Sequence, residues 1–327
     1  MTPHNKRIIL SVILFLFVSW LALRSGAVSL PLRVFLFDGS EAERAILWQV
    51  RAPRVVLAGI VGAALALSGL VFQTLLQNPL AEPYTLGASS GAALLAVMTM
   101  TFGWTALGLW TVPVFAMLGS VGTLLLLFTF VRLIDRTFPM TIVLLMGLLI
   151  GSFFGALVSL LVVWSGDELR SVIHWLFGSV AMRSWEHVAF ASIFIGLSAF
   201  TLFLFHRSLD ALQFGEREAF IAGVDVVSVK KYTLIFAAIL TGAAVAVSGV
   251  IGFVGLIIPH VTRKMFGYTH RVTMPLAMIY GATFLILIDW LSRVLLAPRE
   301  LPLGVMTALI GAPIVAYIFY YYRKEAI

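Results

Sequence analysis

Asp289 and Arg293 stand four residues apart, one helical turn, just after a stretch (272–288) with no charge. At that spacing a carboxylate and a guanidinium meet as an ion pair. An acid left alone in an apolar span marks a path for ions instead, and here the pair is the expectation. Arg51 and Arg54 flank Ala52-Pro53 at the head of another apolar stretch. A planar guanidinium forms forked pairs with carboxylates, so these residue types suit recognition of acids rather than bond-making. Catalytic devices are missing from the sequence. There is no GxxxxGK[ST] phosphate loop and no HExxH pair. His4, His174, His187, His206, His260 and His270 are dispersed, without the spacing of metal ligands. No metal site, resident cofactor or enzymatic activity is expected. His260, next to Pro259 at an expected helix break, reads as a packing and hydrogen-bonding residue. The absence of cysteine excludes thiol chemistry.

The elements that must hold these residues are apolar helices. The 327 residues are 61% hydrophobic and only 11% charged, too little polar surface for a water-soluble globule. Charge-free runs cover 8–23, 55–81, 83–131, 137–166, 188–206, 232–262, 272–288 and 301–322. A bilayer core takes about 20 apolar residues of helix, and such solid runs do not alternate as barrel strands do. The class is an all-α polytopic membrane protein, one domain over 1–327. The run after Lys6-Arg7 reads as a retained first helix rather than a leader. The net charge of +7 is scattered over span ends, which is not a nucleic-acid footprint.

Nine spans are plain. They are 8–23, 55–76, two within 83–131 separated near Gly103–Gly108, 140–164, 188–205, 232–255, 272–292 and 304–322. A short helix over 253–266 makes ten. An even count puts Lys6-Arg7 and Arg323-Lys324 on one side, cytoplasmic by the positive-inside rule. The segment Arg24–Arg54 reads as polar and external, and HWLFGS within 167–183 as a half-buried interfacial helix. Residues 57–87 and 237–267 align without a gap in 10 identities over 31 pairs, including Ser68-Gly69 with Ser248-Gly249 and Pro79 with Pro259. The copies start five spans apart and so have opposite orientation, an inverted repeat with halves at about 55–165 and 232–322. Asn78-Pro79 and Pro259-His260 mark the expected helix breaks. The internal loop 207–231 contains a short helical stretch, Glu216–Ala222, bracketed by Gly215 and Gly223.

The blocks RAPR-(x)7-GAALALSG-(x)3-Q-(x)4-NPLAEPYTLG from Arg51, GFVGLIIPHVTR, and ELPLGVMTALIGAP resemble the permease subunit of iron-chelate and vitamin B12 ABC importers, from Arg51 to Pro313. The resemblance implies a subunit of ten helices in the bacterial inner membrane, paired with a second permease copy. Two ATPase subunits would carry the ATP and magnesium inside, and one substrate-binding protein would dock outside. It implies that Arg51, Arg54 and Arg293 meet glutamates of that binding protein. The loop 207–231 becomes the coupling element, with Leu212, Phe214, Phe220 and Ile221 as apolar contacts and Glu216, Arg217 and Glu218 as polar ones. The inner gate falls on Thr137–Gly147, with Met140, Thr141 and Gly147 as candidates. Phe138, Pro139 and Met146 depart from the small residues usual there.

The expected function is therefore import of a metal chelate, with a ferric siderophore leading and haem or cobalamin next. The rival is an ion-coupled secondary transporter, which also uses inverted repeats. It needs ionisable groups in the middle of the membrane, and Asp289 is the one candidate.

Overall fold

The computed structural model describes residues 3–26, 30–36 and 39–325, and among them the regular structure is helical. In the first half the order is α1 (Pro3–Arg24), α2 (Glu41–Ala45), α3 (Ala52–Leu75), α4 (Ala88–Thr101), α5 (Thr111–Ile134), α6 (Met140–Trp164) and α7 (Leu169–Leu176). The second half continues with α8 (Trp185–Leu204), α9 (His206–Leu212), α10 (Glu216–Ile221), α11 (Val226–Ser248), α12 (Val254–Phe266), α13 (His270–Val294) and α14 (Leu303–Glu325). Seven helical stretches are long and apolar enough to cross a bilayer, and α4, α12 and the apolar part of α14 are shorter. The fold is the expected all-α membrane architecture, with a helix in each of the ten expected places. The side chains of Arg323 and Lys324, on which the parity argument draws, lie outside the described residues.

Small residues decide which helices lie innermost. The alanine- and glycine-rich α3 and α11 are buried on nearly every face, as helices apolar all round must be. Close approach of backbones replaces the missing side-chain volume. A Cβ at Gly69 would lie 1.9 Å from the Gly255 carbonyl oxygen, so only glycine permits α3 to touch α12 there. Ser68 Oγ donates across to the Ala237 carbonyl at 2.8 Å, fastening α3 to α11. The outer helices α1, α6 and α8 leave large apolar side chains exposed, among them Leu16, Leu149, Phe153 and Phe200.

Two expectations are corrected. The segment 41–54 is not a polar connector: α2 runs through a π-helical turn, Ile46–Arg51, directly into α3. A capping box starts it, with Glu43 N–H donating to Ser40 Oγ at 3.3 Å and Ser40 N–H to Glu43 Oε2 at 2.9 Å. The second correction concerns Pro259, which does not break its helix. It sits inside α12, and the break precedes it at Gly249–Phe253, where both Gly249 (φ 71°) and Phe253 (φ 68°) are left-handed. The first break lies where the sequence puts it. Gln77 turns left-handed at φ 47° and Asn78 Oδ1 accepts the Leu80 N–H at 2.9 Å, a side-chain turn ahead of a short 3-10 helix over Pro83–Leu86.

Candidate functional site

Three groups of residues, at the two ends of the bundle and at its helix breaks, hold the polar networks that bear on function. At one end the π turn carries Arg51 inward. Its Nη1 donates to the carbonyls of Leu23 at 3.0 Å and Arg24 at 2.8 Å. One helical turn on, Arg54 Nε donates to Asp289 Oδ1 and its Nη1 to Glu300 Oε1, both at 2.9 Å. The i,i+4 pair is present too, with Arg293 Nε 3.1 Å from Asp289 Oδ2. The rest of the Arg293 guanidinium donates to Ala22 O at 3.1 Å and Ser25 O at 3.4 Å. The three arginines are only 5%, 8% and 5% exposed, and Asp289 is fully buried. All three guanidiniums turn into the bundle in this structure. The π turn aims Arg51 at the free carbonyls ending α1, while Arg54 on α3 and Arg293 on α13 turn to the Asp289 carboxylate. Of this network Glu300 is the exposed member.

At the breaks, the NPLAEPY block holds the chain after α11. Glu82 Oε1 accepts the Phe253 N–H, Tyr84 Oη donates to Ile251 O, and Ile251 N–H donates back to Tyr84 Oη at 2.9 Å. Pro259 lacks the N–H that would satisfy the Gly255 carbonyl four residues earlier. Gln73 supplies the missing donor from α3: its Nε2 lies 3.2 Å from both Gly255 O and Leu256 O. Its Oε1 in turn accepts Arg263 Nη1 at 2.7 Å. Gln73, Glu82 and Tyr84 stand in the family blocks, but the sequence assigns them no role. The available signal was an amide inside an apolar run, which needs a partner when buried.

At the other end lies loop 207–231. Its helix α10 occupies Glu216–Ile221, bracketed by left-handed Gly223 (φ 83°) and by Gly215 at φ 126°. Phe214, Phe220 and Ile221 are 80%, 73% and 75% exposed. Arg217 and Glu218 are also exposed. Leu212 is corrected: it is buried at the end of α9, a helix the sequence reading did not place, and packs inward rather than outward. Glu216 pairs with Lys230 at 2.9 Å. Asp210 accepts both the backbone N–H and Nδ1 of His270 at 2.7 Å. Burial works against its charge, but these hydrogen bonds outweigh it and hold the carboxyl below the usual aspartate range. Gln77 donates to Leu212 O at 3.1 Å, and Gln213 to Tyr268 O at 2.8 Å. Arg7 donates to Met265 O at 2.8 Å. The N-terminal end of α1, the loop 207–231 and the α12–α13 turn therefore share one face. A cavity of about 340 Å³ opens beside them, its lining including Gln73, Gln77, Asn78, Gln213, His260 and Arg263.

Among the gate residues, Thr141 is exposed and Met140 half-buried at the start of α6. Gly147 lies elsewhere. A Cβ there would be 2.7 Å from the Leu86 Cα, so this glycine packs α6 onto the Pro83–Leu86 turn instead of facing open space. Asn78 and Pro79 sit at the cavity rim with His260, and Pro259 is buried within α12.

The sequence model of the FecCD transport family matches residues 12–321. The hemin transport system permease protein HmuU of Yersinia pestis is 39% identical over 329 residues, covering 98% of each chain. The uncharacterized ABC transporter permease protein YvrB of Bacillus subtilis is 45% identical over 275 residues, 84% of this chain and 78% of that protein. A solved inward-facing structure, of a transporter assigned to the metal-chelate type of ABC transporter, superposes with a TM-score of 0.88 at 33% identity. The match covers 97% of this chain and 99% of the other.

Proposed function

The chain belongs to the FecCD transport family, and from that premise we propose that it carries a metal chelate from an external binding protein into the cytoplasm. It is a multi-pass ABC importer permease, a transport subunit rather than an enzyme. The finer reading adds a second permease copy, two ATPase subunits that hold ATP and magnesium, and one binding protein. Both termini lie in the cytoplasm in this reading. The ferric siderophore remains the lead substrate, and the full-length likeness to a hemin permease keeps haem beside it, with cobalamin next. The meeting of the two helix breaks, Glu82–Tyr84 against Ile251–Phe253, supports inverted halves at about 55–165 and 232–322.

The observation that carries the importer reading is the apolar tip of loop 207–231. Phe214, Phe220 and Ile221 are exposed together at the tip of this loop. Exposed apolar clusters of this kind mark partner surfaces, and a cleft on an ATPase is the partner that fits. Met140 and Thr141 are assigned to the gate. Arg51, Arg54 and Arg293 are assigned to the docking platform, where contact with glutamates requires residues 22–25 to lift from Arg51 and Arg293 and Arg54 to exchange Glu300 for a partner carboxylate. Asp289 does not favour the ion-coupled rival, because two arginines already neutralise it.

The test is co-reconstitution of the chain with its candidate ATPase in lipid nanodiscs. ATP hydrolysis is then measured with binding protein loaded with ferric siderophore, haem or cobalamin. Stimulation by one loaded form supports the importer and identifies its cargo. Failure of the chain to form any complex with an ATPase overturns the reading.

A further inference from the structure

We propose that two neighbouring lysines at the foot of α11 tie the coupling helix to the gate helix: Lys230 holds Glu216 of α10, and Lys231 holds Phe138, two residues ahead of α6. The proposal rests on the importer reading and specifies how its two moving parts are joined.

The first contact is an ion pair of unequal partners. Lys230 Nζ lies 2.9 Å from both carboxylate oxygens of Glu216, with the lysine side chain 1% exposed and the glutamate 49%. An ammonium taken out of water needs a fixed counter-charge. Here the direct counter-charge comes from α10, with the Asp135 carboxylate farther off, so moving α10 away takes the buried cation's nearest partner from it. Glu216 is thereby the polar root of the helix whose tip bears Phe220 and Ile221.

The second contact reaches the gate loop. Lys231 Nζ stands 4.5 Å from the centroid of the Phe138 ring, within the range at which a cation is attracted to a ring face. Consecutive helical residues are about 100° apart, so one rigid turn of α11 presents the two ammoniums to two different elements. Phe138 is 3% exposed and packs on Phe128 of α5 with centroids 5.8 Å apart. Its backbone lies at φ 55°, a conformation that a bulky side chain adopts only when its surroundings enforce it. The turn before it is also fixed, since Asp135 Oδ1 accepts Thr137 N–H and Oγ1 at 2.8 Å. Phe138 is one of the residues that depart from the small gate pattern. Its burial explains the departure, because it anchors the loop instead of lining the passage. Met140 follows two residues later as the first residue of α6, so a shift of the α11 foot displaces the gate.

Adjacency alone does not establish coupling, and a double-mutant cycle does. The full permease–ATPase complex is reconstituted in proteoliposomes with binding protein, using radiolabelled ferric siderophore, haem and cobalamin as probes. Uptake per ATP hydrolysed is compared for wild type, Lys231→Met, Phe138→Leu and the double variant. Each single change is expected to lower uptake per ATP about fivefold, with the double no lower than either single. Lys231→Arg and Phe138→Tyr, which keep the cation and the ring, are expected to retain coupling and show that folding is not the cause. Unchanged uptake per ATP in both singles, or a double equal to the product of the singles, overturns the link. No response of wild-type ATP hydrolysis to any loaded binding protein overturns the importer reading itself.

Discussion

Replacing Asp289 by Asn removes the buried carboxylate from a network of three buried arginines and the half-exposed Glu300. Arg54 and Arg293 pair with Asp289 at 2.9 Å and 3.1 Å, Arg54 also pairs with Glu300, and Arg51 beside them rests on backbone carbonyls. Opposite charges about 4 Å apart attract by about 4 kcal/mol at an effective dielectric near 20. The substituted amide would forfeit two such attractions and leave two guanidiniums, each under a tenth exposed, sharing only the half-exposed Glu300. Removing one partner from buried pairs costs about 3–5 kcal/mol, a change of roughly two to four decades in the folding equilibrium. The assay is unfolding of the purified permease in nanodiscs, followed by the fluorescence of its 8 tryptophans. The double variant Asp289→Asn, Arg293→Met sharpens the test. It removes one charge of each sign together, leaving Arg54 paired with Glu300 and Arg51 on its backbone carbonyls, so it should recover most of the loss. A loss below about 1 kcal/mol in the single variant, or a double variant that is simply additive, would refute the buried-network argument. The same reasoning predicts that Arg54→Glu destabilises the permease itself. Charge reversal there is not a clean probe of docking.

Gln73→Leu leaves the Gly255 and Leu256 carbonyls without their donor, and should cost about 1–3 kcal/mol in the same unfolding assay. A neutral result would mean that water replaces the amide. Phe220→Asp puts a charge on the exposed apolar tip of α10. Uptake should fall at least tenfold while the permease keeps its own unfolding midpoint, and unchanged uptake would reduce the loop to a connector. Asp210 has a depressed pKa through its bonds to His270. Its contribution is therefore present above the unfolded value, about pH 4, and is lost as pH falls through the lower folded value. Proteolytic protection of residues 206–213 should show this acid-side loss, and Asp210→Asn should abolish it.

Composition and run length alone specify an all-α membrane protein, because solid apolar runs of this length pair their backbone inside lipid only as helices. The i,i+4 spacing of Asp289 and Arg293 is equally legible, since it needs only one helix. So is the α10 helix, whose bracketing glycines are local signals. Pro259 shows the limit of local reading. In isolation it predicts a break, but Gln73, a distant residue, supplies the missing donor and the helix continues. Leu212 reads as one more apolar residue of a loop until α9 turns it inward.

Sequence by itself determined the class, the ten long or apolar helices and the family blocks, because burial in lipid and helical periodicity act within one segment at a time. Tertiary structure decided where the charges point. The π turn before α3 faces Arg51 inward, while Arg54 meets Asp289 across 235 residues and Lys231 meets Phe138 from the foot of another helix. Those pairings depend on the rotation and register of packed helices. Backbone contacts such as Gly69 against Gly255 set that register, and no spacing along a single chain segment records it.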